Sequence, residues 1–195
     1  MEDFDALDVI ARTRGKVDMD GRPTEDYLFL LWGTLAAVFY GLEFLCWQVF
    51  RAEWCCWLWV FIPLIGVPWM VILLKKEYAQ THMRTRDSRI VLDYWIFAAA
   101  SFAVTGFVFD GFGVHALYAL PLMGLLMGIG AFITGEVLRF RPMIVGGLVG
   151  AAIGMGSFLL RGDLWIWQSL AVAVVAVVSM VIPTLFFNKH VKDGI

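Results

Sequence analysis

Six long apolar runs dominate this chain, and short polar segments separate them. They occupy 27–50, 54–74, 90–109, 114–134, 143–160 and 164–187. Each reaches the roughly 17–25 residues that an α-helix needs to cross a hydrocarbon core. The runs are apolar on every side, whereas the strands of a membrane β-barrel alternate apolar and polar over about ten residues. Backbone groups find no water inside lipid, so helices and closed barrels are the two ways across, and the pattern selects helices. It predicts an all-α, polytopic membrane protein. A six-helix transmembrane domain covers 27–187, after a cytoplasmic segment at 1–26 and before a tail at 188–195.

The first 26 residues carry a different pattern. Phe4, Leu7, Ile10 and Val17 recur at intervals of three to four or a multiple of them, which predicts an amphipathic helix. Asp3, Asp5 and Asp8 come early and Arg12, Arg14 and Lys16 late, an order that complements the helix dipole. Gly15 and the polar run 18–23 end it. Such a helix either docks onto a cytosolic protein or lies on the inner leaflet. The acidic start, Met1-Glu2-Asp3-Phe4-Asp5, does not read as a signal peptide.

Composition agrees with the pattern. Hydrophobic residues make up 61% of the chain and charged ones 16%, with a mean hydropathy of +0.77; a soluble domain has about 45–50% and about 25%. A soluble globular domain, a disordered chain and a disulfide-rich scaffold are all excluded. The longest loop, 75–89, leaves no room for a separate catalytic domain.

The net charge of −2 is uninformative, but its distribution across the membrane is not. With the N-terminus inside, the inner segments hold Arg12, Arg14, Lys16, Arg22, Lys75, Lys76, Arg84, Arg86, Arg89, Arg139, Arg141, Lys189 and Lys192. The outer loops hold Arg51 and Arg161. Cytoplasmic loops are the ones rich in Lys and Arg, so both termini are expected inside. Arg84, Arg86, Arg89, Arg139 and Arg141 then face anionic headgroups or an acidic partner rather than nucleic acid. Asp93 with Arg89, and Glu136 with Arg139 and Arg141, read as helix-end ion pairs.

Glycines mark where helices meet. Gly124 and Gly128 form one small-xxx-small pair, and Gly146, Gly150 and Gly154 a ladder at four-residue spacing. Lipid gives helices no hydrophobic reason to pair, so close backbone approach supplies dispersion contacts instead. An internal contact is expected, with a homodimer seam as the alternative. Pro63, Pro68, Pro121 and Pro183 are candidate kinks. Trp47, Trp54, Trp57, Trp59, Trp165 and Trp167 cluster on the outer side, as an interfacial belt does.

Glu43 is the most informative ionisable residue. It lies seven positions before Phe50, about 10 Å along a helix, which places it inside the hydrocarbon core. Charges at that depth face a bundle interior or a wet cavity. Tyr40 and Trp47 share its helix face. Two readings follow: a proton or cation site, or an anchor for a cationic ligand against aromatic walls, on the one side, and a protonated or hydrogen-bonded carboxyl that fixes packing on the other. Asp110 and His115 flank the next outer turn and, with Glu43 and Glu53, could form an outward cluster. Their spacing fits no metal motif, so no metal and no cofactor are expected. Cys46 lies across the first hairpin from Cys55 and Cys56. A bridge from Cys46 to either is one outcome on an oxidising face, and buried apolar thiols the other. The sequence holds no HExxH, GxSxG, GxxxxGK[ST] or GxGxxG motif, so no catalytic residue is assigned.

Leu30-Leu31-Trp32-Gly33, Gly128-Ile129-Gly130-Ala131-Phe132-Ile133-Thr134-Gly135 and Leu138-Arg139-Phe140-Arg141-Pro142-Met143-Ile144-Val145-Gly146-Gly147 resemble a family of small six-helix inner-membrane proteins common in Bacteroidetes. The resemblance covers nearly the whole chain and includes the N-terminal amphipathic helix. It implies a topology and a bacterial inner membrane, and no catalytic residue. Glu43 and the outer cysteines lie outside the shared motifs.

The expected function is therefore that of a non-enzymatic regulatory or accessory membrane component, with 1–26 and the inner loops meeting a cytosolic or membrane partner. The alternative is a small-solute transporter or ligand-binding membrane subunit built around Glu43. A third reading, an intramembrane enzyme, would use Glu43, Asp110 and His115 as acid–base groups.

Overall fold

The computed structural model describes residues 23–51, 53–78, 90–91, 93–101, 104 and 118–186. The expected amphipathic helix, Arg84, Arg86, Arg89, Asp110, His115 and the tail 188–195 lie outside these residues. All regular structure among the described residues is helical, with no strand. Helix α1 runs over Pro23–Phe50. A 3-10 segment, Glu53–Val60, leads into α2, Phe61–Tyr78. Residues 93–101 form α3. Helices α4, Ala119–Val137, and α5, Arg141–Ser157, form a hairpin. A short 3-10 turn, Gly162–Leu164, precedes α6, Trp167–Ala176, whose last turn widens into a π-turn at Val177–Val181 before helix resumes at 182–186.

Three stretches are long and apolar enough to cross a membrane: Leu28–Phe50, Ala119–Val137 and Gly162–Phe186. Trp57–Leu73 is a shorter apolar helix. The outside of the molecule carries the bulky apolar side chains. Val38, Leu45, Leu64, Ile72, Phe97, Val145, Leu148 and Leu159 are all exposed, while the centre holds small residues such as Ala36, Ala131, Ala173 and Ala176. Continuous apolar surface of this extent is stable against lipid and not against water.

Several boundaries differ from the sequence pattern, for local reasons. Helix α1 begins at Pro23, so 23–26 belongs to it rather than to a linker; proline is well suited to a first helical position because its missing N–H has no partner there anyway. The second apolar run opens as 3-10 helix instead of α-helix. Helix α4 extends to Val137, which puts Glu136 inside the helix and shrinks the expected inner loop to residues 138–140. Pro63 and Pro121 fall in first turns, where they cause no break. Pro183 does perturb its helix. It lacks an N–H and its ring crowds the carbonyl four residues back, and the backbone answers with the π-turn, in which the Ile182 N–H reaches Val177 O.

Helix α6 is the centre of the bundle, packed against α1, α4 and α5, while α2 packs chiefly on α1. The broadest interface joins α4 to α5, and glycine makes it. A Cβ added at Gly128 would stand 2.6 Å from Ala151 Cα; one at Gly154 would stand 2.6 Å from the Gly124 carbonyl carbon, and one at Gly147 2.6 Å from Phe132 Cα. Gly146 turns instead to α6, where its Cβ would meet Val178 O at 2.5 Å. The ladder thus serves contacts within the chain.

The α4–α5 turn closes as a Schellman motif. Phe140 N–H donates to Gly135 O at 2.8 Å and Arg139 N–H to Glu136 O at 3.2 Å. The motif forces Arg139 to a φ of 53°, a region that favours glycine. Its side chain and that of Arg141 are exposed, and among the described residues no ion pair joins either to Glu136. The left-handed turn sends the two arginines outward instead.

Helix α3 is tied to this hairpin by its aromatic residues. Tyr94 OH donates to Leu126 O at 2.8 Å, and Trp95 Nε1 to Thr134 Oγ1 at 3.3 Å.

Gly128→Leu or Gly154→Leu is expected to lower the melting temperature in detergent by the equivalent of about 3 kcal/mol or more, whereas Gly156→Leu, with nothing within 4 Å of its Cβ, leaves it unchanged. Arg139→Gly is expected to raise stability by about 1 kcal/mol, the strain it removes. Both are read by thermal melts of the purified chain.

Candidate functional site

Helices α1 and α6 run antiparallel, and their shared seam changes character along its length. At one end Gly33 lies against the π-turn, where an added Cβ would be 2.8 Å from Met180 Cβ, and Ala36 is buried. At the other end the seam is aromatic. Phe44 tilts against Trp167 and Trp47 meets Trp165 edge-on, each pair with centroids 5.0 Å apart. Between these two ends lie the polar residues.

Tyr40 and Glu43 are both buried, at 7% and 4% exposure. They sit one helical turn apart on the seam face of α1. The Tyr40 OH donates to Met123 Sδ on α4 at 3.2 Å, which fixes the ring. Ser169 of α6 is the polar neighbour of the Glu43 carboxyl. Yet Glu43 Oε2 and Ser169 Oγ both lack a partner at hydrogen-bonding geometry. A buried carboxylate without compensation is costly, and Ser169 is placed to donate its hydroxyl proton to it.

Gln168, one residue earlier, has a structural task. Its Nε2 donates to Leu160 O, in the turn after α5, at 2.7 Å and to Ser157 O, on the last residue of α5, at 3.5 Å. Both partners are carbonyls, which only accept, so the nitrogen must face them and Oε1 is left without a donor.

The structure therefore brings Tyr40 and Glu43 together as expected, with Trp47 one turn beyond. Asp110 and His115 lie outside the described residues, and among those described no three His, Cys, Asp or Glu side chains converge. Met123, Gln168 and Ser169 complete the neighbourhood and were not singled out from sequence. Gln168 and Ser169 did carry a signal, two adjacent polar residues at the head of the last apolar run. Cys46 and Cys55 are free thiols lying side by side, Cys46 partly exposed and Cys55 fully buried. Of the tryptophans, Trp54 and Trp57 point outward as a belt does, while Trp47 and Trp165 face each other.

Comparison with known protein families, curated proteins and solved structures finds no match to this chain.

Gln168→Leu is expected to cost about 1–3 kcal/mol, because the Leu160 carbonyl loses its donor and the turn after α5 loses its tie to α6. A melt compared with Gln168→Glu, which keeps the shape, checks it. N-ethylmaleimide is expected to modify Cys46 well before Cys55 in the folded protein, as peptide mass mapping against time would read.

Proposed function

We propose that this is a non-enzymatic integral membrane protein that binds a small solute within the bilayer at Glu43, as a transporter or ligand-binding membrane subunit. One observation carries the reading: a carboxyl 4% exposed, in a helix long and apolar enough to cross a membrane, whose Oε2 has no partner at hydrogen-bonding geometry among the described residues. Intramembrane carboxyls of this kind mark ion or substrate paths. A carboxyl kept only for packing would gain stability from a full set of partners. Glu43 forgoes that.

In this proposal six helices cross a bacterial inner membrane with both termini in the cytoplasm and the Phe50 end outward. The distribution of Lys and Arg supports the orientation. The apolar side chains that α2 and α5 turn outward, among them Leu64, Ile72, Val145 and Leu148, support their being spans. The resemblance to small Bacteroidetes inner-membrane proteins supports the compartment. The regulatory or accessory role draws on 1–26 and the inner loops. Its described surface is the exposed pair Arg139 and Arg141, which suits lipid phosphate or an acidic partner.

Mass spectrometry of protein released gently from its native membrane is expected to find a retained small molecule. Glu43→Gln keeps the side chain's size, and it is expected to weaken retention at least about tenfold, the scale of one charge-assisted hydrogen bond, with an unchanged melt of the solute-free protein. Full retention in Glu43→Gln would remove Glu43 from the mechanism. A stoichiometric protein partner with no solute would favour the accessory role.

A further inference from the structure

Ser169 departs from the other buried hydroxyls. Thr134 donates to Gly130 O at 2.8 Å, Ser157 to Gly154 O at 2.7 Å, Ser179 to Val175 O at 2.6 Å and Thr184 to Met180 O at 2.7 Å. Each uses the carbonyl three or four residues back, the ordinary outlet for a helical hydroxyl in an apolar setting. Ser169 is 0% exposed, finds no acceptor in its own helix, and has the Glu43 carboxyl as its polar partner across the seam. Two oxygens on two helices are thus held ready across one seam.

Their chemistry selects a class of ligand. A carboxylate only accepts, and a hydroxyl can offer its lone pairs. The described basic residues Arg51, Lys75, Lys76, Arg139, Arg141 and Arg161 all lie at or beyond helix ends, so none of them stands opposite Glu43. The buried Tyr40 ring lies close enough to interact electrostatically with the carboxyl, and aromatic walls suit a cation. The seam is also asymmetric in how it can open. Toward Gly33 it is closed by the Met180 Cβ and Val181 side chain packed on the glycine, a contact so close to both backbones that it yields only if the helices separate. Toward Phe50 it is closed by the Phe44–Trp167 and Trp47–Trp165 pairs, and on the α6 side Trp165 and Trp167 can change rotamer without the helices separating.

We infer that the Glu43–Ser169 seam holds a small monovalent cation, an alkali ion or a protonated amine, which enters from the Phe50 end past the two aromatic pairs. This rests on the reading of Glu43 as a solute site. Glu43 supplies the charge, Ser169 an oxygen ligand, and Tyr40 the wall toward α4.

A hydrophobic carbodiimide tests it on the purified full chain. The reagent adds to a proton-bearing carboxyl, and a cation held on Glu43 excludes that proton. Labelling of Glu43 is followed by peptide mass spectrometry at fixed pH, with ionic strength held by N-methylglucamine chloride and either sodium chloride or methylammonium chloride added. One or both salts are expected to slow labelling several-fold; sodium alone identifies an alkali site and methylammonium alone an amine site. Ser169→Ala is expected to raise the half-protecting concentration about tenfold, and Ser169→Thr, which restores the hydroxyl, to recover it. Trp165→Ala is expected to hasten the onset of protection, and an unchanged onset would overturn the entry route. Labelling indifferent to both salts, while wild type alone retains its native solute, overturns the cation and leaves the Glu43 site standing. The same indifference with the solute kept in Glu43→Gln overturns both.

Discussion

The close backbone approach of α4 and α5 is the contact on which the rest of the bundle depends. Lipid tails are as apolar as leucine, so helices in a bilayer gain little by hiding side chains from it. What they gain comes from dispersion at short range, and that needs the axes near each other. Gly124, Gly128, Gly147 and Gly154 remove the Cβ atoms that would hold α4 and α5 apart. The Schellman turn at residues 138–140 then joins them with no slack. Helix α6 lies on the surface that this hairpin presents, where Gly146 and Gly150 admit Val178, Ser179 and Val175, and α1 lies on α6 in turn.

The second constraint is polar accounting, because inside lipid each unsatisfied group must find a partner within the protein. Most do. Buried hydroxyls return to their own helix, Tyr94 and Trp95 bind groups on α4, and Gln168 ties the turn after α5 to α6. Even the break at Pro183 is absorbed, since the π-turn finds a new acceptor for the Ile182 N–H and Thr184 bonds Met180 O. Among the described residues Glu43 Oε2, Ser169 Oγ and Gln168 Oε1 are the buried side-chain atoms without a partner at hydrogen-bonding geometry, and the first two lie together. The same fold that returns its other buried hydroxyls to their own helices turns Ser169 to the Glu43 carboxyl across the α1–α6 seam, and leaves Glu43 Oε2 without a partner at hydrogen-bonding geometry among the described residues.

Much of this was legible before any coordinates, and what was not has a physical cause. Three of the expected spans are long apolar helices, because the apolar run is a local property of the chain. Glu43 was legible for the same reason: an ionisable residue in such a run is conspicuous whatever surrounds it. The glycine ladder announced a tight contact but not its partner. Gly154 faces α4 while Gly146, two turns earlier, faces α6, and that division depends on how three helices cross. The 3-10 opening of the second run and the π-turn arise from packing and from a proline's effect on the turn before it, neither of which alters hydrophobic periodicity. Ser169 was visible as a polar residue at the head of the last run, but its pairing with Glu43 was not, because hydroxyls in spanning helices are common and usually bond their own backbone. Its meaning lies in a bond it does not make.

These two constraints also explain why the polar site lies on the α1–α6 seam and not between α4 and α5. Glycine-to-backbone contact leaves no space for a side chain, so the hairpin that holds the bundle together cannot also hold a ligand. The α1–α6 seam is built differently: small residues at one end, aromatic rings at the other, and a polar level between them. Helix α6 enters through a 3-10 turn and leaves through a π-turn, so its register along α1 is set at both ends by irregular backbone. Rigidity resides in one helix pair and chemistry in another, with α6 touching both. A ligand arriving at Glu43 would then disturb aromatic side chains and spare the glycine contacts that carry the fold.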